Sequence, residues 1–387
     1  MRVLVAMSGG VDSSVAAVVL ARDGHDVTGV TLKLWGGESD SGCCSVSDVD
    51  DARRVADHLG IEHHVFNFGS DFDEHVVDPY VQAHRDGLTP NPCVECNRHL
   101  KFDRLTARAS QLGFDAVATG HHATIRHDPR GRAWIGRGAD GAKDQSYVLH
   151  MLSGRELEGI LLPIGAMTKD RVRAMAAEAG LRTAAKPDSQ DVCFITRSEG
   201  RHDFLGQRMD LHPGTVVDRA GRQVGEVDAV ETVTIGQRRG LGVSGTHDPR
   251  FAVEVDVPER RVVIGSKSDL LTEQTAVTRL GWAHGAVQGE VAVQTSAHGR
   301  PAAASLSAVE NDRLIVSWRR PHQRVAPGQS VVFYEEDRVL GGGTARVRGL
   351  SRSQSRSCLR ADLLRRRHLA RPGPLAESVE DIILGHR

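Results

Sequence analysis

The stretch that most limits what this chain can become is "RVLVAMSGGVDSSVAAVVLAR", residues 2–22. A short apolar run ends at Ser8-Gly9-Gly10 and passes at once into a small-residue segment of helical character. A strand that turns through glycines into a helix presents backbone N–H groups at the helix N-terminus, where an anion is stabilised. Ser8, Ser13 and Ser14 add hydroxyl donors, and Asp12 falls in the first helical turn. The string lacks the lysine of the G-x-x-x-x-G-K-[ST] loop, which reaches the β- and γ-phosphates. A phosphate site is therefore expected at which a bond other than the β–γ link is broken. S-G-G alone would serve equally well as a tight packing turn; the whole string S-G-G-V-D-S-S at the end of the first strand is far more specific.

The pattern around this loop is an alternation. "HDVTGVTLKLW" and "EHHVFNF" read as strands, and "VSDVDDARRVADHLG" as a helix closed by Gly60. A helical stretch follows near Phe72 to His84, then the loop "GLTPNPCVEC", the amphipathic helix "NRHLKFDRLTARASQLG" and a strand in "FDAVATG". Helices are expected to continue to about Gly180. Strands spaced by helical runs predict an α/β fold with a parallel sheet covered on both faces. After about residue 205, short alternating strands with turn residues between them take over, as in "FAVEVDVPERRVVIG". They predict antiparallel β structure throughout, a small, mainly β domain and then an antiparallel barrel. The expected domains are 1–205, 206–270 and 271–348, with an Arg- and Ser-rich tail, 349–387, of weak order.

A formal net charge of −1 does not announce a nucleic-acid partner. Any such partner must be held by local basic patches, since phosphate attraction reaches only about 8–10 Å in physiological salt. No run of about 18 apolar residues occurs, so no membrane span is expected, and the absence of leader features predicts a cytoplasmic protein. The cysteines are Cys43, Cys44, Cys93, Cys96, Cys193 and Cys358, too few for a disulfide scaffold. Cys93 and Cys96 form a C-x-x-C, but a structural zinc takes four ligands. Cys43 and Cys44 are adjacent and Cys193 stands alone in "PDSQDVCFI", so no metal site is expected. A transient, catalytic role suits cysteines in a reducing compartment.

In order along the chain stand "SGGVDSS", "GLTPNPCVECNRHLKF", "ATGHHA", "KDQSYVLHML", "KPDSQDVCFI", "TIGQRRGLGV" and "VAPGQSVVFY". Over about residues 1–345 the chain resembles the bacterial tRNA-specific 2-thiouridylases, of the PP-loop ATPase superfamily. The resemblance implies ATP with Mg²⁺ as cofactors and cleavage of ATP between the α- and β-phosphates. It also implies 2-thiolation of the wobble uridine of tRNAs for Lys, Glu and Gln. Sulfur would come from an upstream persulfide donor, a cysteine desulfurase or a sulfur-relay protein, and the enzyme would be a monomer.

Carried over by motif, the resemblance makes Cys96 the nucleophile and Cys193 the persulfide carrier, joined in a disulfide during turnover. ATP contacts fall on Ala6, Met7, Ser8, Gly9, Gly10, Val11, Asp12, Ser13, Leu32 and Gly120. Asn91, Pro92 and Cys93 face the target base, and His121, Lys143, Asp144, Gln145 and Gln329 contact the tRNA. Many members have Asp where this chain has Cys93, so a general acid/base role cannot rest on a carboxylate there. The Arg-Tyr-Arg segment of some relatives is replaced by "AHGRP", residues 297–301, to which no contact is assigned. His121, His122 and Lys101 are candidates for favouring the thiolate of Cys96. The competing readings are another PP-loop enzyme of the amidating or lysidine-forming type, or a non-catalytic RNA-binding protein with metal at "CVEC".

Overall fold

The computed structural model describes residues 1–34, 46–188, 192–195, 200–243, 248–309 and 312–346. Cys43, Cys44, Cys358 and the expected tail 349–387 lie outside the described residues.

The N-terminal strands are β1 (Arg2–Ala6), β2 (Asp26–Lys33), β3 (Glu62–Asn67) and β4 (Ala116–Thr119). A hairpin of β5 (Ala123–His127) and β6 (Ala133–Arg137) precedes the short β7 (Ile160–Leu161). β3-β2-β1-β4-β7 form one sheet, parallel at every pairing. Its strands are apolar runs because both faces are covered: Val3, Leu4 and Val5 are each fully buried. On one face lies the Val11–Arg22 helix, whose Val15, Ala16, Ala17 and Val18 are buried all round. From β1 the chain lays β2 and β3 on one side and returns to place β4 on the other. The order therefore reverses between β1 and β4, and the crevice beyond their carboxyl ends is where such sheets bind ligands.

Two helical runs lie beyond β3. The first joins Gly69–Phe72, Asp73–Val77 and Asp78–Arg85; the second joins Pro92–Glu95, Cys96–Arg104 and Leu105–Gln111. The middle section of each is a π-helix. In the second, the widened turn begins at Cys96, and π segments recur at functional sites.

The second sheet contains β8 (Gly214–Val217), β9 (Gln223–Val227), β10 (Phe251–Asp256) and β11 (Arg261–Gly265), in the order β10-β11-β8-β9. The β8–β11 pairing is parallel, a departure from the antiparallel expectation. The long connection from β9 to β10 allows it, as parallel neighbours need a crossover. The third module contains β12 (Leu271–Trp282), β13 (Gly289–Gln294), β14 (Ala302–Val309), β15 (Arg313–Gln323), β16 (Ser330–Glu335) and β17 (Arg338–Arg346). Pairing of β12 with β17 closes these six strands into an antiparallel barrel.

One element contradicts the expected run of helices to Gly180. Residues 123–137 form the β5–β6 hairpin, and β6 pairs with β17 at Gly136↔Arg338. The local chemistry explains it. Asp128 accepts from the backbone N–H groups of Arg130 and Arg132 at 2.9 Å, and Gly131 takes a left-handed φ of +78°. Ile125, Trp134 and Ile135 supply β-forming side chains on either arm. Arg137 then bonds Gln294 on β13 at 3.0 Å and stacks over Tyr334 on β16 at 3.9 Å. The N-terminal domain is thus stitched to the barrel.

Candidate active site at the switch point of the parallel sheet

The glycine loop is built by its own backbone. Gly9 has φ +70°, and a Cβ there would stand 2.2 Å from the carbonyl oxygen of Asp48, so only glycine fits. The Ser8 N–H donates to Ser13 Oγ at 3.1 Å, and the hydroxyls of Ser13 and Ser14 donate to the Gly10 carbonyl at 3.2 and 2.8 Å. Across the crevice, a Cβ on Gly120 would lie 2.6 Å from the Ser13 nitrogen. The end of β4 therefore presses directly on the first turn of the Val11–Arg22 helix.

The cation absent from the loop motif arrives from later in the chain. Lys169, buried at the start of the Lys169–Glu178 helix, places Nζ 2.8 and 2.7 Å from the two carboxylate oxygens of Asp12. The same ammonium lies 2.8 Å from Asp188, which also pairs with Lys143 at 2.8 Å and Arg173 at 2.7 Å. Lys186 bonds the Gly9 carbonyl at 3.0 Å and both Asp48 and Asp51 at 2.7 Å. His122 Nε2 is 3.1 Å from Asp12. Burial works to raise the Asp12 and Asp188 pKa values. The bonds from His122 and Lys169 bring Asp12 below the ordinary range, and those from Lys143 and Lys169 bring Asp188 to about 2. Sequence reasoning assigned no role to Lys169, Lys186 or Asp188. The last two fall inside the quoted "KPDSQDVCFI", which was the available signal; nothing local marks Lys169.

Cys93 and Cys96 lie in the second helical run, and Cys193 in the segment 192–195. Cys96 is buried, Cys193 half-buried and Cys93 exposed. Cys96 belongs to one apolar cluster with Leu4, Leu32, Phe72, Leu100 and Phe194, and Cys193 packs against that cluster. Phe194 seats its neighbour Cys193 by edge-on ring contacts to Phe72 and Tyr80, at 5.5 and 5.4 Å between centroids. Asn91 accepts from the Cys93 N–H at 3.2 Å and caps the turn that leads to Cys96. Leu32, expected to contact ATP, packs in this same cluster from β2.

The residues expected to meet RNA have internal partners as well. His121 is buried with Nδ1 2.7 Å from Thr119 Oγ1, and burial, with Lys101 and His122 nearby, drives its pKa well down. A neutral imidazole there cannot serve as a cation beside a thiolate. Asp144 is buried, and it accepts from Arg137, Ser146 and the Gly138 N–H. Gln145 Oε1 accepts from the His122 N–H at 2.8 Å, and Gln329 Nε2 donates to the Thr89 carbonyl at 2.7 Å. Asp144 therefore braces its loop, and Gln329 ties the barrel to the "TPNPCVEC" segment. Lys143 and Gln145 keep substantial exposure.

The loop, the sheet order and the crevice define a PP-loop nucleotide-binding domain followed by two β modules. Family models described as the tRNA methyl transferase HUP domain, the tRNA methyl transferase PRC-barrel domain and the aminomethyltransferase β-barrel domain match residues 1–197, 202–266 and 272–345. The tRNA-specific 2-thiouridylase MnmA of Chloroflexus aggregans is 46% identical over 349 residues, covering 88% of this chain and 97% of that protein. Those of Herpetosiphon aurantiacus and Geobacter metallireducens are 42% and 40% identical, again over 88% of this chain and over 97% and 96% of their own. The chain belongs to the tRNA-specific 2-thiouridylase family. Among solved structures, a 4-thiouridine synthetase–RNA complex with bound ATP aligns at 18% identity with a TM-score of 0.33, over 50% of this chain and 44% of that one, too distant to bear on function. Among the described residues no helix is long and apolar enough to cross a membrane.

Proposed function

We propose that this protein is a tRNA sulfurtransferase that 2-thiolates the wobble uridine of tRNAs of the Lys, Glu and Gln type. The C2 oxygen of the uracil attacks the α-phosphorus of ATP and pyrophosphate leaves, gripped by the loop amides of Ser8, Gly9 and Gly10. Mg²⁺ suits this loop, because it binds through one or two carboxylates plus phosphate oxygens and Asp12 supplies a carboxylate in the first helical turn. It would neutralise charge on the leaving pyrophosphate, and the Lys169 ammonium on Asp12 would have to yield to it.

Sulfur arrives from an upstream donor as a persulfide on Cys193. The terminal sulfur becomes bonded to C2 as AMP departs, either by direct attack or after release as hydrosulfide. In both routes Cys96 bonds to Cys193 Sγ, so two thiol sulfurs are oxidised to a disulfide while the transferred sulfur is reduced. The observation that carries this reading is the shared cluster of Cys96, Cys193 and Leu32 beside a lysine-free phosphate loop. An exposed Cys93 outside that cluster fits a role facing the base with Asn91 and Pro92 rather than one in the pair. A cytoplasmic, monomeric enzyme is the form we expect. The division of labour is adenylation and sulfur transfer in residues 1–205, a spacer in 206–270 and RNA contacts in 271–348. The test is mass spectrometry of wobble uridines in tRNA treated with the protein, ATP, Mg²⁺ and a persulfide relay. Formation of 2-thiouridine is expected, and its absence with fully folded protein defeats the reading.

A further inference from the structure

Between the two cysteines of "CVEC" stands Glu95, and two guanidinium groups and an imidazole surround its carboxylate. His99 Nε2 and Arg98 Nε lie 3.4 and 3.7 Å from Oε2, and Arg279 Nη2 lies 3.6 Å from Oε1. Charge-assisted N–H···O bonds measure about 2.7–2.9 Å, so neither arginine contact is a fitted hydrogen bond and the His99 contact is a long one. Arg98 Nε is buried and has no hydrogen-bond acceptor. An uncompensated buried donor is costly to a fold and asks for an explanation. Glu156, the other nearby acid, has Oε2 engaged by the N–H and hydroxyl of Ser153 at 2.7 and 2.6 Å.

Arg279 is unusual in its own right. It lies in β12 where the pairing with β17 slips between Thr278 and Gly281, and its φ is +53°. A left-handed non-glycine residue in a strand is strained by roughly 1–3 kcal/mol, and such strain collects at ligand clamps. Here the bulge turns a barrel guanidinium toward the segment that carries Cys93 and Cys96. Both guanidinium side chains stay accessible, at 53% for Arg279 and 38% for Arg98.

We propose that Arg98, His99 and Arg279 form a receptor for one backbone phosphate of the RNA beside the target nucleotide, with Glu95 as the internal anion that holds the receptor until the RNA arrives. A phosphate offers three acceptor oxygens and can satisfy the Arg98 Nε–H that one distant carboxylate leaves unmet. The inference rests on the tRNA reading above. Its signature is opposite signs at the two ends of one ion pair. Arg279→Gln should weaken binding of unmodified tRNA roughly tenfold and lower the slope of log affinity against log salt by about 0.7–0.9, the value of one phosphate contact. Arg279→Lys should recover part of the affinity. Glu95→Gln should tighten binding, because it removes the competing carboxylate. A merely structural ion pair would make Glu95→Gln and Arg279→Gln harmful alike.

The measurement is tRNA titration at several salt concentrations with the full chain, after thermal unfolding has shown each variant folded; Arg98→Gln serves if Arg279→Gln does not fold. Unchanged affinity and salt slope in the arginine variants, or a loss in Glu95→Gln as large as theirs, overturns the proposal. Failure of the unsubstituted protein to bind tRNA at all defeats the thiolation reading first, and this receptor with it.

Discussion

Around the glycine loop, Asp12, Asp188, Asp48 and Asp51 are joined to Lys169, Lys143 and Lys186 by ion pairs of 2.7–2.8 Å. Cys96 instead rests among Leu4, Leu32, Leu100 and Phe194, and Cys193 packs against the same cluster. The first region can accept a triphosphate by exchanging one anion for another on lysines already in place. The second surrounds its thiols with apolar side chains instead of charges. The glycine-loop region is thus organised by electrostatics, whereas the cysteine region is organised by packing. Order at the cysteine end is supplied from outside the domain. Gln329 and the Pro327 carbonyl bond Thr89, His84 bonds the Glu231 carbonyl and Arg279 reaches Glu95.

The comparison breaks most visibly at the cysteines. Cys96→Ser and Cys193→Ser should each abolish 2-thiouridine formation from a persulfide relay while pyrophosphate exchange survives, and Cys93→Ser should retain thiolation. A turnover disulfide trapped and mapped to Cys93 would place the chemistry elsewhere.

Acid should act in two steps, on buried histidines before paired carboxylates. Burial foremost holds His84 and His150 near pKa 4 in the folded protein, against 6.5 when exposed. The unfolded chain takes up those protons first, so stability should be flat above pH 6.5 and fall as the pH drops from 6.5 toward 4. The loop network resists longer. Asp188 is held at about 2 against 3.8, so its contribution is complete above 3.8 and lost as pH falls through 2. Denaturant midpoints measured across pH test the order of these two losses.

Lys169→Met leaves Asp12 and Asp188 without their shared ammonium. Removing one partner of a fully buried pair costs about 3–5 kcal/mol. Asp12 and Asp188 keep some solvent contact, so a loss of about 2–3 kcal/mol is expected from the shift in denaturant midpoint, together with lost pyrophosphate exchange.

The glycines separate folding from binding within the loop. Gly9→Ala should destabilise by about 1–2 kcal/mol through its left-handed backbone, with a further contribution from the contact to Asp48. Gly10→Val has room, with only Ser8 Oγ near at 3.5 Å, and should stay folded yet lose pyrophosphate exchange. Least of all should change on the surface: Arg171→Ala removes an ion pair to Glu178 in which both partners are about half exposed, and should shift stability by less than about 0.5 kcal/mol.

Much of this architecture was legible because it is written locally. The apolar run of β1, the turn at Ser8-Gly9-Gly10, the closing Gly60 and the alternation of the later strands are short-range signals of backbone geometry. The β5–β6 hairpin was missed although its turn, Asp128-Pro129-Arg130-Gly131, carries a standard turn signature. The helical runs on either side outweigh that four-residue signal in a local reading. The parallel β8–β11 pairing was not readable, because pairing direction depends on how a long connection travels.

By itself the sequence determined that a lysine-free phosphate loop opens a parallel sheet, that two separated cysteine segments follow, and that β modules close the described chain. Each follows from residue type at fixed spacing, which sets backbone conformation within a few residues. Only the tertiary structure decided that Lys169 sits on Asp12, 157 positions away, that Gln329 braces Thr89, and that Arg279 faces Glu95 from another module. Charges have no period and no propensity that marks their partners. An ammonium finds its carboxylate only after the sheet order, the crossover and barrel closure have brought distant segments within a few ångströms, and no local pattern encodes that distance.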